Sequence, residues 1–113
     1  MHNNLTSDLL ANTTEFLITL DPAFEAELKV EEPEEQTLHR VMRIFAEYFG
    51  ANSKCFSKKQ LCRLGEWLSE AVSVSGPLEN AVSTCFLEHV HQLKVDRRLA
   101  PYLSKSAKEK FHP

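Results

Sequence analysis

Between Leu38 and Phe49 the apolar residues Leu38, Val41, Met42, Phe45, Tyr48 and Phe49 recur at spacings of three and four. That period fits one buried face of an α-helix, whereas a half-buried strand would alternate every second residue. The rest of the chain keeps the same rhythm. Three glycines and five prolines punctuate its 113 residues, and most of them fall where helices would end. No alternating pattern runs beyond a few residues. The expectation is an all-α protein, a compact single-domain bundle of five to six helices over residues 1–113. Its central helix lies near residues 78–94.

The remaining helices follow from their start and stop signals. Ser7 or Thr6 caps a first helix over about residues 6–20, with Leu9, Leu10, Phe16, Leu17 and Leu20 inward. Asp21-Pro22 reads as a cap followed by proline at the first helical position, opening a short helix anchored by Phe24 and Leu28. Pro33 breaks that helix and can start the next, which Gly50 ends in a left-handed cap. Ser57-Lys58-Lys59-Gln60 matches a capping box, with Leu61, Leu64, Leu68, Ala71 and Val72 inward and Gly65 inviting close approach. Ser75-Gly76-Pro77 closes that helix. From Leu78 the apolar positions cover more than half the helical circumference, the mark of a helix contacted on several sides. Residues 96–111 form one or two short helices limited by Pro101.

Charge is distributed unevenly behind a net value of −3. Residues 21–35 hold Asp21, Glu25, Glu27, Glu31, Glu32, Glu34 and Glu35 against Lys29, while residues 94–113 are basic. Some of these glutamates simply favour a helix start. Four carboxylates packed around Pro33 repel one another, and a basic partner would relieve that cost. Glu25, Glu27, Glu31, Glu32, Glu34 and Glu35 are therefore the candidate partner-binding residues. The same field disfavours nucleic acid. Lys54, Lys58, Lys59 and Arg63 make a modest basic patch, read as a solvated face.

Chemistry is harder to find. Cys55, Cys62 and Cys85 are odd in number and too sparse for a disulfide framework. Cys85 and His89 are four apart and share a helical face. A metal would need further ligands from Cys55, Cys62 or His39, which only the fold could bring, and no CxxC or HExxH exists. Cys85 therefore reads as a small core residue. No thiol carries a catalytic signature and no glycine-rich loop could hold phosphate. The expectation is no catalytic residue, no metal and no cofactor. Glu88, flanked by apolar residues, should pair with Arg40, Arg43 or Arg63, or sit at a polar rim. Met1 leads into His2-Asn3-Asn4 without a signal peptide, and no apolar run approaches the ~20 residues of a membrane span. A reducing cytoplasm is the expected compartment, with no membrane partner.

Glu66-Trp67-Leu68-Ser69-Glu70, Leu78-Glu79-Asn80-Ala81-Val82 and Cys85-Phe86-Leu87-Glu88-His89-Val90 together form a pattern. Over the second half of the chain it resembles small all-helical bacterial immunity-type proteins encoded beside polymorphic toxins. The resemblance implies a non-enzymatic protein that binds and neutralises a cognate toxin, and it supplies no binding residues. The acidic run independently suits occlusion of a basic surface, with Phe24 and Phe56 as expected anchors. A helical adaptor docking on another protein, or a Cys/His metal or redox sensor, are the competing readings. A homodimer is compatible with each.

Overall fold

The computed structural model describes residues 4–29 and 36–111 of the chain. Within them Thr37 opens the helix that the periodicity marks. Its backbone is extended, and its hydroxyl accepts a hydrogen bond from the Arg40 N–H at 3.1 Å. The helix that follows buries Leu38, Val41, Met42, Phe45, Ala46 and Phe49 along one face. In chain order the α-helices are α1 (Asn4–Leu20), α2 (Phe24–Leu28), α3 (Leu38–Asn52), α4 (Lys58–Ala71), α5 (Pro77–Ala81), α6 (Glu88–Gln92) and α7 (Lys105–Glu109). Three 3-10 turns, Ser53–Cys55, Asp96–Arg98 and Ala100–Tyr102, link them, and no strand occurs among the described residues.

The expected central helix is present with an internal irregularity. A π-turn, Val82–Leu87, joins α5 to α6 without a break, so residues 77–92 form one rod. The helix count exceeds five to six because this rod divides in two around the π-turn. It packs along α3, where Phe86 lies 5.5 Å from Phe45 and 6.0 Å from Phe49 between ring centroids. Phe24, Tyr48 and Phe56 extend the aromatic cluster. Each fully buried ring or aliphatic side chain contributes about 1.5–3 kcal/mol of transfer free energy. The buried apolar residues form one continuous core that α1, α4 and the C-terminal turns complete.

Local signals set the ends of the elements. Ser57 and Gln60 form a full capping box at the start of α4, and Gln60 also reaches the Leu20 carbonyl at 2.9 Å, closing α1. Gly65 is buried where a Cβ would lie 2.5 Å from the Tyr102 carbonyl oxygen, so the expected close approach is to the Ala100–Tyr102 turn. The rod ends in a Schellman arrangement: Lys94 donates to the His91 carbonyl and Val95 to that of Val90, with Lys94 at φ 64° in the place glycine usually takes.

Two boundary expectations are corrected. Gly50 does not take the left-handed cap; α3 runs through it to Asn52, and the missing side chain instead makes room for Leu93. Pro22 lies in the turn before α2, not at its first position; Asp21 still closes that turn, accepting from the Ala23 N–H at 3.2 Å and the Phe24 N–H at 2.9 Å. Pro33 lies outside the described residues. No helix among the described residues is long and apolar enough to cross a membrane.

Candidate functional site

Two polar regions stand out on this frame, one at the corner between α1 and α3 and one along the seam between α3 and the rod. At the corner, Glu25 and Glu27 occupy the first turn of α2, favourable positions beside a helix N-terminus. Both are exposed, and neither forms an ion pair among the described residues. The side chains of Phe24 and Leu28 point the other way, into the core. Glu31, Glu32, Glu34 and Glu35 lie outside the described residues.

The corner's field is registered by Tyr48. Its hydroxyl donates to Asp21 Oδ2 at 2.7 Å. Burial pushes the phenol up to about 12, and the hydrogen bond to Asp21 with the charges of Asp21 and Glu27 adds to the shift. The expected anchors do not belong to this surface. Phe24 is fully buried and Phe56 is 4% exposed, because aromatic residues at these helix entries lock the chain onto the core. Among the described residues, no cation of the basic C-terminal region pairs with Glu25 or Glu27. Arg98 instead donates to the carbonyls of Ser53 (2.9 Å) and Phe56 (3.0 Å), tying that region to the α3–α4 corner. Lys110 pairs with Glu79 at 3.2 Å.

Along the seam, His39, Arg43 and Glu47 succeed one another at four-residue steps on α3. Opposite them the rod presents Asn80, Cys85 and His89. Cys85 is half-buried, with Sγ 3.1 Å from His39 Nδ1, and the other ring nitrogen of His39 lies 3.5 Å from Asn80 Nδ2. His89 turns away from Cys85 and meets the Glu47 carboxylate through Nε2, while Arg43 sits 3.8 Å from the same oxygen. Cys85 is thus a seam residue with an imidazole partner, not the inert core residue its apolar neighbours suggest. Burial pushes its thiol up; Arg43 opposes that shift and Glu88 adds to it.

The structure separates what the i, i+4 spacing of Cys85 and His89 grouped, and joins what sequence distance kept apart. His39 and Cys85 are 46 residues apart. Asn80 and Cys85 are five apart, a step that places side chains about 140° apart around a regular α-helix. The wider winding of the π-turn brings the fifth residue back towards its start, so both can approach one imidazole. Glu88 is half-buried at the rim of the seam and makes no ion pair among the described residues, so the rim, not an arginine, is its setting. Among the described residues no cluster of three or more histidine, cysteine or acidic side chains is arranged to hold a metal ion.

No protein-family model, curated protein or solved structure matches the chain.

Proposed function

We propose that this chain is a non-enzymatic binding protein whose acidic corner docks a basic protein surface, most specifically as an immunity-type inhibitor of a toxin made by the same cell. The observation that carries the reading is the exposure of Glu25 and Glu27, which form no ion pair among the described residues, on the segment whose sequence continues into Glu31, Glu32, Glu34 and Glu35. Carboxylates left unpaired at a corner supply long-range attraction. They speed encounter with a cationic partner and set its orientation, while apolar contacts carry much of the affinity. A basic active-site cleft, such as that of a nuclease, would be blocked by occupation of the space its anionic substrate needs.

Replacing Glu25, Glu27, Glu31, Glu32, Glu34 and Glu35 with glutamine tests this while keeping side-chain shape. Co-expression with the product of the adjacent gene should rescue growth for the parent chain and fail for the glutamine variant. Association with the purified partner should slow and lose its dependence on salt. Unchanged association with unchanged salt dependence would reject the acidic corner as the docking surface. Absence of growth rescue by the parent chain would reject inhibition of that gene's product.

A further inference from the structure

Trp67, the chain's single tryptophan, is half-buried on α4 and stacks on Phe16 of α1 at 4.7 Å between ring centroids. Its side chain lines two surface cavities. The larger, about 340 Å³, is walled by Leu9, Trp67, Val74, Pro77 and Leu78, with the exposed Glu70 in its lining. The smaller, about 300 Å³, sets Phe16 and Trp67 beside Arg63, Glu66 and Glu70. Val74 is 68% exposed, more than any other large apolar side chain among the described residues. Because it adjoins the larger cavity, apolar surface is continuous there, and continuous apolar surface with charge at its rim marks a binding face.

The charges around these cavities decide what fits them. Glu66 and Glu70 are four apart on α4 and both exposed, and like charges at that step repel. Neither forms an ion pair among the described residues, and Glu66 has the Cys62 thiol as its neighbour at 3.8 Å. Arg63 lines the smaller cavity but pairs with neither carboxylate among the described residues. The other acid of the larger cavity, Glu79, is already held by Lys110 at 3.2 Å and by the Ser83 hydroxyl at 3.0 Å. Glu70 is therefore the carboxylate common to both cavities, and its charge is left for an incoming cation.

We propose that this face docks a basic peptide segment of a partner protein. One apolar side chain of the segment enters the larger cavity against Trp67, and a neighbouring lysine or arginine meets Glu70 and Glu66. A purely apolar segment would leave the two carboxylates repelling each other, and an acidic one would add to the repulsion. A cation relieves it. The larger cavity is open to solvent and lies at the lower end of the range for small-molecule sites, about 300–1,000 Å³, which suits a side chain of a docked segment. This face belongs to α1, α4 and the start of α5, whereas Glu25 and Glu27 belong to α2. It is a second docking surface and does not rest on the acidic corner.

The test uses the full-length protein and a capped peptide of sequence Lys-Leu-Leu-Lys-Lys-Leu-Leu-Lys, with binding read by calorimetry and by the emission of Trp67. Expected is saturable binding that shifts that emission. Glu66→Gln together with Glu70→Gln should weaken binding about threefold to tenfold, the range of two exposed ion pairs. Val74→Ser, at an exposed position, should weaken it about twofold or more while leaving its salt dependence unchanged. A peptide with serine in place of leucine should bind at least about tenfold more weakly. Circular dichroism confirms that each variant is folded. Absence of binding by the parent chain, unchanged Trp67 emission, or equal affinity in the double glutamine variant overturns the proposal. So does equal binding of the serine peptide, which would reduce the interaction to charge alone. The glutamine variant of the acidic corner should bind the peptide as the parent chain does. Loss of binding in that variant alone overturns this site and leaves the corner as the docking surface, while growth rescue reads toxin inhibition separately.

Discussion

The rod and α3 meet along two seams that share the same pair of helices and little else. On one side Phe45, Phe49 and Phe86 pack ring against ring with no exposed surface. On the other, His39, Arg43 and Glu47 face Asn80, Cys85 and His89 at the margin of solvent. The dry seam fixes how the helices pack, because apolar burial and close packing are large terms that tolerate little change of volume. The polar seam contributes little to that, since exposed charge pairs are screened and offset by side-chain ordering. One interface therefore holds a stabilising half and a chemically free half.

Breaking the dry side should show the largest effect. Phe45→Ala empties a fully buried site at the centre of the aromatic cluster and should destabilise the protein by about 3–5 kcal/mol in urea denaturation. Gly65→Ala sharpens the same contrast. Its new methyl meets the Tyr102 backbone, which cannot swing aside, so about 1–3 kcal/mol should be lost. Gly50→Ala meets only the end of the half-exposed Leu93 side chain and should be neutral or gain up to about 1 kcal/mol of helix propensity.

Tyr48, at the edge of the dry cluster, gives a pH signature. Its phenol is raised in the folded protein to about 12, above the unfolded value of 10.0, so the stabilisation is complete below pH 10. It should be lost as pH rises from about 10 to about 12. The melting temperature of the parent chain should fall through that window more steeply than that of Tyr48→Phe. The smallest effect belongs to the polar seam. Glu47→Gln, which removes the partner of His89 from an exposed position, should change stability by about 0.2–1 kcal/mol. A loss as large as that of Phe45→Ala would erase the distinction between the two seams.

What the sequence disclosed follows the range of the interactions concerned. The apolar stripe from Leu38 to Phe49, the capping box at Ser57 and the arc from Leu78 are set by neighbours three or four residues away, and each could be read directly. Gly65 was legible as a point of close approach, though not its partner Tyr102, which comes from a turn far along the chain. Phe24 and Phe56 looked like exposed anchors because helix entries are usually near the surface; their burial depends on Phe45 and Phe49 arriving from α3. Arg98 gave no local sign that its guanidinium would satisfy two carbonyls at the end of α3. For the seam, the four-residue step puts Cys85 with His89, whereas its partner His39 stands on another helix 46 residues away, which no local pattern marks.

The wide turn at Val82–Leu87 amounts to one surplus residue absorbed within a helix whose flanking stretches stay in phase. Excising Thr84 should therefore leave a straight, well-formed α-helix, with Phe86 still interior and His89 still beside Glu47. Cys85 would then follow Asn80 by four residues, the ordinary same-face step, and its sulfur should keep its place beside the His39 imidazole. The rod thus carries an extra residue that the register of its polar seam does not need.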